Sequence, residues 1–336
     1  MESKTITIIN DIFNIRIVND YFKSYFKKFD FEKYNYELED YDIKIFNDDE
    51  KEILLNKLKG NIVLIIQPLQ YKFLEIFLLK IQKLLSKGKK IILVITYLCY
   101  LRQGKEFKEK LGEMIIKSLL SYWNIIKIIV IDPHVTLDIK SEKYEEISGS
   151  DLVFNEINEK LEMLENCCIL SPDNSSSKKN DILAKKLNID NIISNKKRDK
   201  NGEITRFEIK NYKYHRNIFI VDDIIDTGNT VLQAINTYLN MYEKYDIKND
   251  KPIFFIYCTH GILSNVNKNL MKHKDIISIN ISSSYFNSII ADKIKNLDNE
   301  EKLFKICADS NLSKKIKIFN IADKIYERVK KTIDSI

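Results

Sequence analysis

Three aspartates, two threonines, a glycine and an asparagine crowd into the nine positions from Asp222 to Thr230. Asp222 and Asp223 close a run of apolar β-formers, NIFIV, and the helical pattern VLQAINTYL follows Thr230. Adjacent carboxylates can hold a cation or accept hydrogen bonds from neighbouring hydroxyls. The turn Asp226, Thr227, Gly228, Asn229, Thr230 opens a helix, where backbone N–H groups and two hydroxyls make a cradle for phosphate. Gly228 permits a positive φ or a close backbone approach. Such a set suits a phosphorylated sugar, with phosphate in the turn and ribose hydroxyls or a metal on the acids. A single Asp or Thr there would be an ordinary helix cap; the packed arrangement asks for more.

The elements that must position these residues read as alternating strands and helices. Apolar β-branched runs lie at 5–10, 61–67, 90–97, 125–132, 167–171, 217–223, 252–260, 276–281 and 315–321. Amphipathic helical patterns lie at 71–86, 106–122, 150–164, 178–188, 230–245, 262–273 and 321–334. Continuous apolar strands with intervening helices predict parallel sheets buried on both faces, and ligands of such sheets bind at the strands' carboxyl ends. The small, polar EEISGSD marks a change of unit near residue 150, so two α/β units of similar size are expected. The charged stretch 194–216 reads as a mobile loop or a protruding hairpin.

Composition narrows the class. The chain has 336 residues, 44% hydrophobic and 30% charged, which is globular. Its net charge of +6 is spread along the chain and does not mark a nucleic-acid binder. Five cysteines form no CxxC pair and read as reduced core residues. The N-terminus lacks the pattern of a signal peptide, and no apolar run approaches the roughly 20 residues that span a bilayer. A soluble, cytoplasmic protein is expected.

The Asp222–Thr230 stretch resembles the ribose-phosphate signature of type I phosphoribosyltransferases and of ribose-phosphate pyrophosphokinases (phosphoribosyl pyrophosphate synthetases). The rest of the chain resembles the second family, in order. IFNDDE (45–50) is similar to its adenine-packing segment, YLCYLRQGKE (97–106) to its ATP segment and VIDPH (130–134) to its metal-binding strand end. SPDN with the following helix (169–188), NKKRDKNGE (195–203) and YCTHGILS (257–264) resemble its Ser-Pro-Asp, basic catalytic and Thr-His-Gly segments.

The resemblance implies two tandem phosphoribosyltransferase-like domains, each a mainly parallel sheet flanked by helices. Their expected bounds are 1–149 on the ATP side and 150–318 on the ribose 5-phosphate side. A helical segment, 319–336, is expected to pack on the first domain. It implies Mg²⁺-dependent transfer of pyrophosphate from ATP to ribose 5-phosphate, giving phosphoribosyl pyrophosphate and AMP. Carried over by position, Phe46, Asp48, Glu50, Arg102 and Gln103 would hold ATP. Asp132, His134 and Asp173 would hold Mg²⁺. Asp222, Asp223, Asp226, Thr227, Gly228, Asn229 and Thr230 would hold ribose 5-phosphate, and Lys196 and Arg198 would act in catalysis. Physical chemistry supports the types: a guanidinium forks onto phosphate, and a carboxylate with an imidazole can hold a hydrated cation. The family's site is shared with a second subunit, so a dimer, a hexamer or a hetero-oligomer with a related subunit is expected, without nucleic acid or membrane partners.

The chain also departs from the family pattern. Asn174, Ser175 and Ser176 stand where glycines are usual after Ser-Pro-Asp, which narrows the space for pyrophosphate. Gly104 replaces an acid, Pro133 a leucine and Asn229 a glycine, the last mild because Asn tolerates positive φ. The glycine losses keep a second reading open, a catalytically weak or inactive regulatory subunit. A phosphoribosyltransferase is a third, but it would not need the Arg-Gln and Asp-x-His segments.

Overall fold

The structure is a computed structural model that describes residues 4–10, 34–38, 42–55, 58, 60–71, 74–104, 106–198, 204–248, 250–263, 266–284 and 315–336. The chain divides into two compact units, Met1–Ile147 with Ala322–Ile336, and Ser148–Ile321.

The first unit carries β1 (Lys4–Asn10), β2 (Tyr34–Leu38), the hairpin strands β3 (Asp42–Ile45) and β4 (Lys51–Leu54), and β5 (Ile62–Leu69). Then follow α1 (Leu74–Ser86), β6 (Lys90–Leu98), α2 (Leu111–Leu120), β7 (Ile125–Ile131) and β8 (Tyr144–Ile147). Six strands form a parallel sheet in the order β2-β1-β5-β6-β7-β8. Val63, Ile65, Ile91, Leu93, Ile95 and Ile128 of the sheet pack with Phe77, Ile81 and Leu84 of α1 and Ile116 and Leu119 of α2. Burial on both faces explains why these strands are apolar without alternation.

The second unit begins with α3 (Gly149–Leu161), β9 (Cys167–Ser171), α4 (Asn174–Leu187), β10 (Asp190–Arg198) and β11 (Ile204–Ile209). It continues with β12 (Asn217–Ile225), α5 (Asn229–Lys244), β13 (Ile253–Gly261), α6 (Lys268–Lys272), β14 (Ile276–Ser282) and β15 (Ile316–Phe319). The sheet order is β11-β10-β9-β12-β13-β14-β15, parallel except for the β10–β11 pair. Ile218, Ile220, Phe254 and Ile256 face Val231, Ile235 and Tyr238 of α5. On the other face Phe219 stacks on Phe255, and the Tyr257 hydroxyl reaches the Glu156 carbonyl of α3.

The last helix, α7 (Ala322–Asp334), belongs to the first unit. It buries Ile325, Val329 and Ile333, a stripe at spacings of four, and Arg328 pairs with Glu145 of β8 at 3.1 Å.

Several elements differ from the sequence reading. The helical pattern at 262–273 yields only Lys268–Lys272, because Asn267 caps a helix start there by accepting from Asn269 N–H at 2.8 Å. α4 begins at Asn174, four residues early, because Asp173 caps it. The stretch 194–216, by contrast, agrees with one of its two readings: it contains an antiparallel hairpin, Ser194 opposite Ile209 and Lys196 opposite Phe207, with residues 199–203 outside those described.

Candidate active site

In the second unit β9 leads through α4 to β10 on one side, while β12 joins the other side of β9. The order of strands therefore reverses between β9 and β12, the place where open α/β sheets leave a crevice for ligands. Pairing of the two strands ends at Leu170 and Ile220, whereas β12 stays paired with β13 out to Ile225. Pro172, lacking an N–H, and the helix cap at Asp173 carry the β9 chain away. Asp222 and Asp223 thus lie within β12, not at its end as the sequence implied. They sit on the stretch whose β9-facing edge has opened.

Asp222 Oδ1 accepts the backbone N–H of Asp223 at 3.1 Å. Burial raises the Asp222 carboxyl well above the usual carboxylate range, and the charges of Asp223 and Asp173 raise it further. Three carboxylates, two from within β12 and one from the cap of α4, therefore share one electrostatic neighbourhood. Next door, burial and then Asp222 and Asp223 push the Cys258 thiol well up, so it is no nucleophile.

The turn after β12 prepares a helix start. Gly228 holds φ +76° as the N-cap of α5, a conformation that a side chain disfavours. Thr227 Oγ1 accepts from Asn229 N–H at 3.4 Å, and the Thr227 carbonyl accepts from Asn267 N–H at 2.8 Å. Asn229 is the first helical residue and takes a hydrogen bond from Asn267 at 2.8 Å. Tolerance of positive φ is thus not what Asn229 supplies, since Gly228 alone in the turn carries it. Asp226 and Thr230 are half-buried beside the exposed Thr227.

Asp173 caps α4: its Oδ1 accepts from Ser175 N–H at 3.0 Å and Ser176 N–H at 3.2 Å, and from the Ser175 hydroxyl. Two first-turn amides of α4 are thus taken by this chain's own carboxylate, while the α5 N-cap, Gly228, has no side chain to offer its amides.

Sequence reasoning gave no role to His260. It lies on β13 opposite Ile224, and its Nδ1 is 2.8 Å from Ser284 Oγ. The Ser284 hydroxyl donates to the Thr259 carbonyl at 2.6 Å, so Nδ1 carries the hydrogen of the His–Ser contact. The signal was present in the Thr-His-Gly stretch, but Ser284 lies 24 residues away.

In the first unit, Tyr100 (φ 61°) and Asp132 (φ 39°) adopt left-handed conformations just past the carboxyl ends of β6 and β7. Non-glycine residues seldom do so, and such strain gathers at functional sites. Arg102 and Gln103 follow the first, and His134 the second. Asp132 is buried, with its N–H on the Ile147 carbonyl at 2.8 Å, and His134 is half-buried. Arg102 is exposed, whereas Gln103 Oε1 accepts the Leu111 N–H at 2.9 Å and so commits one atom to starting α2.

Phe46, Asp48 and Glu50 form the exposed tip between β3 and β4. Phe46 N–H donates to the Glu50 carbonyl at 2.9 Å, and Asp48 Oδ1 accepts the Glu50 N–H at 3.3 Å. Lys196 and Arg198 lie on β10, and their side chains are outside the described residues. Among the described residues, no three His, Cys, Asp or Glu groups converge as a ready-made metal cage. No described helix is long and apolar enough to cross a membrane.

No protein-family model matches the chain. Among curated proteins it is 30% identical over 206 residues to a ribose-phosphate pyrophosphokinase of Saccharolobus solfataricus, covering 57% of this chain and 68% of that protein. The chain belongs to the ribose-phosphate pyrophosphokinase family. A second member, from Sulfurisphaera tokodaii, is 32% identical over 208 residues, 57% of this chain and 68% of that one. The Campylobacter jejuni pyrophosphokinase is 28% identical over 239 residues, 68% of this chain and 73% of its own. The fold agrees with that of a phosphoribosylpyrophosphate synthetase from Mycobacterium smegmatis, with TM-score 0.69 and 15% identity over 99% of this chain and 100% of that chain. The pyrophosphokinase family is one of enzymes, and both units are of the phosphoribosyltransferase-like α/β type.

Proposed function

We propose that this pyrophosphokinase-family protein transfers the β,γ-diphosphate of ATP to the 1-hydroxyl of ribose 5-phosphate. The observation that carries the reading is the crevice between β9 and β12. There a half-buried carboxyl group, raised by burial and then by two neighbouring acids, lies one turn from a helix start whose N-cap, Gly228, has no side chain. In this reading the N–H groups after Gly228, with Thr227, Asn229 and Thr230, hold the 5-phosphate. Asp222 and Asp223 accept the ribose hydroxyls, and Asp226 borders the phosphate.

The donor set fits magnesium. Mutual repulsion among Asp222, Asp223 and Asp173 is relieved by a cation, and Mg²⁺ needs only one or two carboxylates plus water and substrate phosphates. Asp222 and Asp223 in the second unit, with Asp173, and Asp132 with His134 in the first, are the residues that would hold it. When bound, it would neutralise phosphate charge. The chain's own contribution is orientation and charge. Arg102 forks onto phosphate, and Gln103 offers an amide to the base. Phe46 stacks on adenine in a site of another subunit, with Asp48 and Glu50 beside it. The 1-hydroxyl attacks the β-phosphorus, the bond from that phosphorus to the α-phosphate oxygen breaks, AMP leaves and the hydroxyl proton is released. Lys196 and Arg198 meet the charge that develops on the transferring group, as phosphoryl transfer depends mainly on positioning and electrostatics.

Assembly into a dimer or hexamer, or with a related subunit, is part of this reading. Strand β3 is exposed along its whole length and presents Ile43 and Ile45, the latter 61% exposed, on a strand that among the described residues is paired on one edge only. Exposed apolar edge strands invite a partner. One observation favours a regulatory subunit instead: Asp173 already takes the Ser175 and Ser176 amides of α4, which are then not offered to diphosphate.

Isothermal titration with ribose 5-phosphate tests the assignment of the crevice. The unaltered protein is expected to bind, and Asp222→Asn with Asp223→Asn to lose binding while keeping its circular dichroism. Equal affinity in the two would remove the acids from the site.

A further inference from the structure

The crevice needs something to end the β9–β12 ladder at a defined place. Past Ile220 the Val221 carbonyl has no rung from β9, yet Val221 is buried. Asn180, on α4 and only 2% exposed, fills the gap. Its Nδ2 donates to the Val221 carbonyl at 2.9 Å and to Ser171 Oγ at 3.0 Å, one hydrogen to each strand. A carbonyl only accepts, so the group facing Val221 must be the NH₂ and the amide orientation is unambiguous. The Ser171 hydroxyl in turn donates to Asn191 Oδ1 at 2.8 Å, and Asn191 Nδ2 donates to Asp181 at 2.6 Å. The Val221 carbonyl belongs to the peptide whose nitrogen is that of Asp222. Holding it fixes the plane from which the Asp222 side chain departs.

We infer that Asn180 is a positioning residue that sets the direction of Asp222 in the crevice by replacing the missing rung between Ser171 and Val221. It touches no substrate and acts through the Val221–Asp222 peptide. The inference rests on the proposed ribose 5-phosphate reading of this crevice and names a residue which that reading does not contain.

The test compares Asn180→Leu, close in volume but without a donor, with Ser171→Ala, which removes the other end of the bridge and leaves the Val221 bond. Both variants lose a buried hydrogen bond and are expected to melt lower. Only Asn180→Leu is expected to raise KM for ribose 5-phosphate, by tenfold or more, with KM for ATP unchanged, in assays run well below both melting temperatures. If Asn180→Leu does not fold, Asn180→Ser, too short to reach the Val221 carbonyl, is expected to show the same split. A lowered melting temperature with ribose 5-phosphate KM at the wild-type value would make Asn180 merely structural and overturn the inference. Equal KM changes in Asn180→Leu and Ser171→Ala would overturn it as well. Failure of the unaltered protein to bind ribose 5-phosphate by titration would overturn the functional reading and this inference together. Binding with an indifferent Asn180 overturns the inference alone.

Discussion

Leu270 fills the space that a Cβ on Gly228 would need, and Gly228 itself holds φ +76°. The N-cap of α5 is therefore a glycine for two reasons, backbone conformation and a neighbour from α6. Gly228→Ala is expected to lose about 1–2 kcal/mol from the left-handed conformation and about 1–3 kcal/mol from overpacking. Gly88 gives the control: its φ is +66° with nothing within 4 Å, so Gly88→Ala should show the first loss only. Urea unfolding of the two variants measures the difference, and equal losses would show that Leu270 yields without cost.

Asp222 makes a prediction about pH. Its folded carboxyl is raised by burial, then by Asp223 and Asp173, so the native state keeps this proton to a higher pH than the unfolded chain. The group's effect is absent below the unfolded value of about 3.9. Stability is lost as pH rises from there through the raised folded value, and the full penalty stands above it. Asp222→Asn removes the penalty and is expected to raise Tm, most at alkaline pH and by a vanishing amount in acid. Melting curves of both proteins across pH check this, and a gain that grew toward acid pH would contradict it.

Lys196 and Arg198 carry the kinetic prediction. Contacts made mainly in the transition state lower kcat when removed and leave ground-state affinity nearly unchanged. Lys196→Ala and Arg198→Ala are each expected to reduce turnover on the order of 10²–10³-fold, with ordinary Tm and ATP binding. Stopped assays and titration together decide; wild-type turnover in both variants would remove them from the mechanism.

The β3–β4 hairpin predicts assembly. Ile43 and Ile45 are 40% and 61% exposed, and all four residues of β3 are on the surface. Ile45→Lys is expected to shift the protein to a smaller species in sedimentation velocity without loss of secondary structure. A variant sedimenting as the wild type would show that this edge meets no partner.

The sequence made the core strands legible because parallel strands buried on both faces are written as unbroken apolar runs, as in IVLII and FFIYC. It hid β8, YEEI, and showed the NKKR half of β10 only as a loop or hairpin, because polar strands carry no such run. The acids of β12 were visible as chemistry but misplaced, since only pairing with β13 extends the strand to Ile225. Asp173 was legible as a site candidate, but its cap on α4 follows from where the helix starts. Asn180 was invisible: its partner Val221 lies 41 residues away, and nothing local marks it.

The most direct test is product analysis after incubating the purified protein with ATP, Mg²⁺ and ribose 5-phosphate. Phosphorus NMR resolves AMP, ADP and phosphoribosyl pyrophosphate in one spectrum. AMP and phosphoribosyl pyrophosphate appearing in equal amounts, dependent on ribose 5-phosphate, is the expected result. ADP in place of AMP, or ribose 5-phosphate bound without any AMP formed, would contradict diphosphate transfer by this chain.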